Sequence, residues 1–315
     1  MDDVKANITT QIKAEALRLG FDACGLSPAA AVEEATAAPF RAWLAEGCQG
    51  EMHYLENFLE KRLDPRLLME GAQTVLSVVL NYYPGKQLAE DGYQFAWYAY
   101  GKDYHEVVKG KLQQLLTFIR SLVPEAEGRA FCDTAPLLER YWAAQAGLGW
   151  IGKNNLLIRP QGSTFFLGEL LLNIELTYDQ PLPNRCGTCT RCIEACPTHA
   201  LSPHHLEASR CLSYLTIERR GALPEGTGKS MGRCIYGCDR CQGACPWNQR
   251  AVPTQEPLLQ PSPEFLAMTP ADWHALSVEQ YRALFKGSAV KRAKFEGLRR
   301  NIEEVERGTE EVNRE

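Results

Sequence analysis

Apolar residues recur every three or four positions at Ile8, Ile12, Ala16 and Leu19, a period that predicts a helix over 5–19 with one buried face. The same period at Val108, Leu112, Leu115, Leu116, Ile119 and Leu122 predicts a second, longer helix. Asp103 stands where its N-cap belongs, with Glu106 placed as the box partner. Residues 40–58 read as an aromatic-rich helix, and 136–146 as another that stops at Gly147. Elsewhere the pattern is of β type. Residues 75–82 are a β-type apolar run, as expected of a buried strand, and 165–176 look like a strand-rich hairpin arm. Pro181, Pro183 and Asn184 punctuate the chain before a cysteine-rich stretch; Pro253, Pro257, Pro261 and Pro263 do so again beyond Trp247. The 315 residues thus divide into an α/β domain (1–180), a cysteine-rich module (181–250) and a helical C-terminal segment (251–315).

The cysteines bring the first chemistry. Cys186, Cys189, Cys192 and Cys196, followed by Pro197, form C-x2-C-x2-C-x3-C-P, the run that holds iron–sulfur cubanes in two-cluster ferredoxins. A split second set follows at Cys211, Cys238, Cys241 and Cys245, again before a proline. A tight C-x2-C-x2-C loop wraps three corners of one cube, and the next cysteine serves the other cube. Cys186, Cys189, Cys192 and Cys245 are therefore expected around one [4Fe-4S] cluster, with Cys196, Cys238 and Cys241 around a second. Regular spacing would put the remaining ligand at Ile235, so Cys211 or Cys234 must supply it, and spacing leaves both open. Zinc prefers paired C-x2-C knuckles and fits this run poorly. Disulfides are not expected: MDDVKANITT has no apolar signal region, and a chain of this length needs no staples. Cys24, Cys48 and Cys132 read as buried or incidental thiols.

Composition adds limits. An apolar fraction of 45% is that of an ordinary globular chain. No run of 18 apolar residues exists, so no membrane partner is expected, and reduced thiols point to the cytoplasm. The net charge of −5 is unevenly distributed. Residues 301–315 carry six acids and two arginines, whereas 281–300 hold seven Lys/Arg against one Glu. By charge alone the basic stretch fits a solvated helix face better than a phosphate footprint. Gly147, Gly149 and Gly152 match G-x-G-x-x-G, but a helix precedes them and none follows, so no dinucleotide site is expected. These glycines are read as letting backbone pass close to a bulky ligand.

Several longer segments carry a resemblance. They are Tyr100-Gly-Lys-Asp-Tyr-His105, Phe131-Cys-Asp-Thr-Ala-Pro-Leu-Leu-Glu-Arg140, Gly147-Leu-Gly-Trp-Ile-Gly-Lys-Asn-Asn155, Cys211-Leu-Ser-Tyr-Leu-Thr-Ile-Glu218, Ile235-Tyr-Gly-Cys-Asp239 and Cys245-Pro-Trp-Asn248. Over residues 5–300 the chain resembles the epoxyqueuosine reductases, cobalamin- and iron–sulfur-dependent enzymes of tRNA modification whose core is similar to that of reductive dehalogenases. The resemblance implies an α+β fold: a nitroreductase-like cobalamin-binding α/β domain, a two-[4Fe-4S] ferredoxin-like module and a short helical C-terminus. It implies reduction of epoxyqueuosine to queuosine and water at the tRNA wobble position, with two electrons and two protons. It also implies Cys211 rather than Cys234 as the fourth ligand of the second cluster, and Asp133 as proton donor. Cobalamin would be bound base-off, and the chain has no D-x-H-x-x-G motif for a histidine ligand. Its implied contacts are Arg62, Tyr98, Asp133, Asn154, Leu157, Leu167, Gly168, Ser213, Gly237, Cys238 and Asp239. His105 fits a cofactor contact and a helix start equally well. Glu218, Arg219 and Arg220 would join the basic stretch in contacting the anticodon loop. The partners implied are tRNA and an unidentified low-potential electron donor, with the chain a monomer. The family usually continues into a helical-repeat module; here 289–300 reads as its first helix, followed by an acidic tail.

Chemistry requires an acid, because epoxide oxygen leaves poorly unless protonated. Asp133 in that role is expected to have a raised pKa through burial against an apolar face. From the residues alone, Asp133 or Thr134 reads as the cap of a helix starting near Pro136. Two other functions compete: a dehalogenase-like enzyme acting on a small organohalide, and an electron-transfer protein with no chemistry of its own. Exported dehalogenases usually carry a leader not seen here, and corrinoid absorption separates an enzyme of this kind from a bare cluster protein.

Overall fold

The computed structural model describes residues 2–314. The strand Thr74–Asn81 is buried at every position, including the polar Thr74, Ser77 and Asn81. It pairs antiparallel with Ala23–Pro28 on one side and Phe165–Leu172 on the other. Gly128–Phe131 completes a four-stranded antiparallel sheet beside Phe165–Leu172. The helices Asp2–Arg18 and Tyr104–Leu122 cover one face, where Ile12, Leu112, Leu115 and Ile119 are fully buried with Leu76 and Leu170. Tyr141 and Trp142, from the helix Glu139–Gln145, cover the other face with Leu63 and Phe131.

Several elements differ from the sequence expectation. Ala23–Pro28 is a strand built from ACGLSP, with no alternation to announce it. Residues 165–176 form no hairpin: the strand ends at Leu172 and is central in the sheet. Residues 40–58 are not one helix. The helix Glu34–Ala45 ends before Gly47 and Gly50, both left-handed, and Phe58 at φ 56 starts a separate turn, Leu59–Leu63. Gly50 is needed there, since a Cβ would lie 2.7 Å from the Tyr214 ring. Asp103 does cap the Tyr104–Leu122 helix, but through the His105 N–H and without a reciprocal Glu106 bond, because the Asp103 N–H donates instead to the Gly287 carbonyl oxygen at 2.7 Å. The G-x-G-x-x-G glycines face the chain itself. A Cβ at Gly149 would lie 2.4 Å from the Ile158 carbonyl oxygen, and one at Gly152 would lie 2.3 Å from Ile158 Cδ1.

A second core gathers three distant stretches. Phe95, Tyr236, Trp273, Phe285, Leu298, Ile302 and Val305 pack together. Gln94–Phe95 pairs in parallel with Cys234–Tyr236. The helix Lys294–Arg314 closes this core, and the close approach of Gly228 and Gly308 lets it cross Thr227–Met231 backbone to backbone. Residues 289–293 are a 3-10 turn ended by Lys294 at φ 63, so the last helix starts later than expected. The acidic 301–314 stretch is the second half of that helix rather than a tail. Asn301 is fully buried there and donates to the Thr216 and Ile235 carbonyl oxygens at 2.8 Å each. Among the described residues no helix is long and apolar enough to cross a membrane.

Candidate active site and cluster module

Cys186, Cys189, Cys192 and Cys245 line a single cavity of about 320 Å³, together with Lys153, Asn154, Trp247 and Arg250. Lys153 Nζ donates to the Gly187 and Cys189 carbonyl oxygens at 2.8 and 3.0 Å, tying down the cysteine loop. The Cys211 thiol faces those of Cys238 and Cys196, and Cys241 faces Cys238 and Cys211. Cys241 also lies near Cys192, so the two groups adjoin. Cys234 abuts Cys238 as well. Two adjoining groups of thiols, the second with the buried Asp239 carboxylate beside Cys238 and Cys241, make a donor set that fits iron–sulfur cubanes.

Asp133 lies on the turn between the strand Gly128–Phe131 and the helix Glu139–Gln145, in the left-handed region at φ 58. Such a backbone is uncommon outside glycine, and Asp and Asn tolerate it best. The turn is held from three directions: the Asp133 N–H donates to Glu139 Oε1, Lys109 Nζ reaches Thr134 Oγ1 at 3.1 Å, and the Thr134 N–H donates to the Cys132 carbonyl oxygen at 2.6 Å. Asp133 caps nothing: the Glu139–Gln145 helix begins after Leu138 without a side-chain cap. Its carboxylate accepts Tyr104 O–H at 2.8 Å and meets His105 Nε2 at 3.2 Å, while His105 Nδ1 meets Asp103 at 2.6 Å. Tyr104 is stacked between Phe166, 4.2 Å away and nearly parallel, and the His105 ring at 4.1 Å.

The electrostatics of this cluster overturn the expected raised carboxyl. Partial loss of water works to raise the Asp133 pKa, but the hydrogen bonds from His105 and Tyr104 outweigh it and leave the carboxyl below its ordinary value. Burial works to lower His105, yet Asp103 and then Asp133 raise it to about 9. At neutral pH the proton of this pair therefore sits on the imidazole, one hydrogen bond from Asp133. Burial, and then the Asp133 charge, push Glu139 up to about 7.

The other residues singled out in the sequence fall in several places. Arg62 is buried beside Asp133 and Glu139 with its Nε unpartnered, an orphaned donor facing the site. Tyr98 donates to Tyr236 Oη at 3.1 Å and packs edge-on to Tyr104. Asn154, with Nδ2 unpartnered, lines the first cysteine cavity. Leu157 is buried with Val79 and Leu148, and the Leu167 carbonyl accepts the Cys132 thiol. Gly168 faces the Tyr104–Leu122 helix: a Cβ would lie 2.5 Å from Val108 Cγ1. Ser213 is in the first turn after Cys211. Gly237, at φ 70, donates its N–H to Thr216 Oγ1, and the carboxylate of Asp239 accepts the Trp97 N–H at 2.7 Å. The orphaned donors of Arg62 and Asn154, with the tyrosine wall between the two halves, suit a large amide-rimmed ligand such as a corrinoid.

Glu218 is paired bidentately with Arg292, whose guanidinium lies over Tyr54 at 5.5 Å. Arg219 pairs with Glu51 at 3.4 Å. Arg220 is turned inward onto the Ile217, Arg292 and Ala293 carbonyls, and Arg300 onto those of Leu215, Arg219 and Gly221. Arg282, Lys286, Lys291 and Lys294 remain exposed without an ion pair among the described residues. Reading the sequence gave no individual role to Tyr104, Glu139, Arg292 or Glu169, although Tyr104 and Glu139 stand in segments that carry the resemblance. Glu169 left a signal of its own, as one acid inside the apolar run FFLGELLL.

A thiol-lined double-cluster module joined to a sheet domain with a Tyr–His–Asp cluster at its open edge defines an iron–sulfur oxidoreductase. Residues 62–134 match the family model "Epoxyqueuosine reductase QueG, DUF1730", and residues 185–248 match a 4Fe-4S double cluster binding domain. The chain is 49% identical to the epoxyqueuosine reductase of Cellulophaga algicola over 294 residues, covering 93% of this chain and 96% of that one. A crystal structure of an epoxyqueuosine reductase with an epoxyqueuosine-modified tRNA-Tyr stem loop superimposes with TM-score 0.85 at 29% identity, covering 95% and 80%. The Bacillus subtilis enzyme, with its aspartate-bearing catalytic loop swung out of the active site, gives 0.87 at 28% identity, covering 98% and 83%. A catabolic reductive dehalogenase shares the fold alone, with TM-score 0.50 and 15% identity over 98% of this chain and 37% of that one. The chain belongs to the epoxyqueuosine reductase family and is an oxidoreductase.

Proposed function

We propose that this chain reduces epoxyqueuosine to queuosine at the wobble position of tRNA. Cys186, Cys189, Cys192 and Cys245 hold one [4Fe-4S] cluster, and Cys196, Cys211, Cys238 and Cys241 hold the other. Cobalamin would be held beside Asp133 by Arg62, Tyr98, Asn154, Leu157, Leu167, Gly168, Ser213, Gly237, Cys238 and Asp239, and would supply a strongly reducing, nucleophilic centre there. Overall, two electrons and two protons convert the epoxide to the alkene, and the oxygen leaves as water.

The Asp133–His105–Tyr104 cluster carries this reading. His105 holds the proton and Asp133 delivers it to the epoxide oxygen as the C–O bond breaks. Tyr104 and Glu139 fix the direction of delivery through the carboxylate and the backbone N–H. The wobble base is read from a single-stranded loop, splayed out toward Asp133. Glu218, Arg219 and Arg220 border its path, and the exposed cations of 282–294 meet phosphates. The solved stem-loop complex of a relative supports the tRNA substrate. A reduced-thiol module and a tRNA substrate suit a cytoplasmic monomer served by a low-potential one-electron donor.

The test is turnover of epoxyqueuosine-bearing tRNA by anaerobically reconstituted protein with cobalamin and a chemical reductant. Queuosine is expected in the nucleoside digest, and its formation is expected to depend on the corrinoid. Corrinoid-independent turnover would remove cobalamin from the reading; cluster reduction with no queuosine formed would leave an electron-transfer protein.

A further inference from the structure

The strand Phe165–Leu172 carries one charged residue in its buried centre, Glu169, with 0% of its surface exposed. In the sheet register it lies between Ser77 and Phe131, on the face covered by the helix Glu139–Gln145. Neither of its carboxyl oxygens has an N–H or O–H partner among the described residues, and the hydroxyl of Ser77 is unpartnered too. An isolated ionised carboxylate is strongly disfavoured in such a place, so the group takes a proton instead. Its neighbour is another carboxyl, that of Glu139. Two carboxyls in contact cannot both ionise in a dry site; they share one proton. Burial and the proximity of Glu139 raise the Glu169 pKa well above its ordinary value.

This pair is one residue from the chemistry. Glu139 Oε1 accepts the N–H of Asp133, the bond that holds the left-handed turn presenting that carboxylate. We propose that Glu169 is a positioning residue: by sharing a single proton with Glu139 it fixes that side chain, which in turn clamps the Asp133 turn. The proposal rests on the reading of Asp133 as the acid. The groups facing the pair are Asp133 and Cys132 from the turn, Arg140 from the helix, Tyr104 and Lys109 from the Tyr104–Leu122 helix, and Arg62 from the Leu59–Leu63 turn. The cations balance one negative charge on the pair. With the shared proton lost, two charges face Asp133 across the turn and drive it outward, so turnover falls on the alkaline side.

Glu169→Gln supplies an amide N–H to Glu139 in place of the shared proton. Glu169→Leu supplies nothing. Infrared spectroscopy of the holoenzyme at neutral pH is expected to show a protonated-carboxyl carbonyl band in the wild type that is absent from Glu169→Gln. Single-turnover rates are expected near wild type for Glu169→Gln, with the alkaline fall reduced to the part set by loss of the His105 proton near pH 9. For Glu169→Leu they should drop on the order of 10²-fold, the cost of a small misplacement, with tRNA affinity, cobalt and iron contents unchanged. A wild-type spectrum without the band, a band that persists in Glu169→Gln, or a wild-type rate in Glu169→Leu overturns the proposal. Should Glu169→Leu fail to load its cofactors, the infrared band and the pH profile of Glu169→Gln still decide it. Failure of the acid reading is distinct: Asp133→Asn would then turn over normally while the carboxyl band remains.

Discussion

Asp133→Asn separates proton delivery from everything else Asp133 does. Asparagine tolerates the left-handed φ of 58 about as well as aspartate. Its amide oxygen can still accept the Tyr104 hydroxyl, and the bond to Glu139 uses the backbone N–H and is untouched. The turn therefore stays. His105 keeps Asp103 at 2.6 Å, the larger of its two carboxylate partners, and remains protonated at neutral pH. The site then still contains a proton but has lost the group that carries it to the epoxide. A positioned general acid is worth about 10²–10⁴ in rate, which is about 3–5 kcal/mol of barrier. Anaerobic single turnover with pre-reduced cobalamin, followed by nucleoside analysis, reads that loss directly. Filter binding of the same tRNA should show no change in affinity. A near-wild-type single-turnover rate would refute the assignment and leave His105 or solvent as the donor.

Three further outcomes are expected. Cys211→Ala should leave about four irons per chain after anaerobic reconstitution and Cys234→Ala about eight, read by iron and sulfide analysis; the reverse pattern would exchange their roles beside Cys238. The His105 pKa is raised above its ordinary value on folding, so its contribution to stability is complete below about pH 6.5 and is lost as pH rises through about 9. Thermal inactivation across that range should show the loss, and Asp103→Asn should move it to lower pH. Replacing Lys291 and Lys294 by alanine should weaken tRNA binding and flatten the plot of log affinity against log salt by about 0.7–0.9 per phosphate contact removed. An unchanged slope would take the RNA path away from this helix start.

The cysteine spacing was legible because a cubane imposes its ligand pattern on the chain locally, and the grouping of Cys186, Cys189 and Cys192 follows from a single loop. The long helix at 104–122 and the strand at 74–81 were legible for a similar reason: the first is strongly periodic and the second mostly apolar. What escaped depends on distant partners. Ala23–Pro28 becomes a strand only because Thr74–Asn81 offers an edge. The break at Gly47–Gly50 is dictated by the Tyr214 ring, 164 residues further along at its nearer end. Asp133 looked like a cap because caps are local, whereas its real partners come from the start of another helix. Its pKa was misjudged for the same reason, since burial could be anticipated and a neighbouring imidazolium could not. Arg220, which borders the proposed RNA path, has its guanidinium turned onto carbonyls of the C-terminal segment, an arrangement no local pattern announces.

The second core has a consequence for how the holoprotein is made. The segment carrying Cys234 and leading to Cys238 is a strand whose partner, Gln94–Phe95, was synthesised long before it, while Asn301 ties the carbonyls of Thr216 and Ile235 from the final helix. A chain emerging from the ribosome in order therefore brings the expected ligands Cys211, Cys238 and Cys241 to their final separation only after the Lys294–Arg314 helix has emerged. Loading of iron and sulfide at that site is then expected to follow synthesis of that helix. The same threading means that the ferredoxin-like segment, cut out at its prolines, would leave behind the walls that shape it, so it should not serve as a portable electron relay grafted onto another protein.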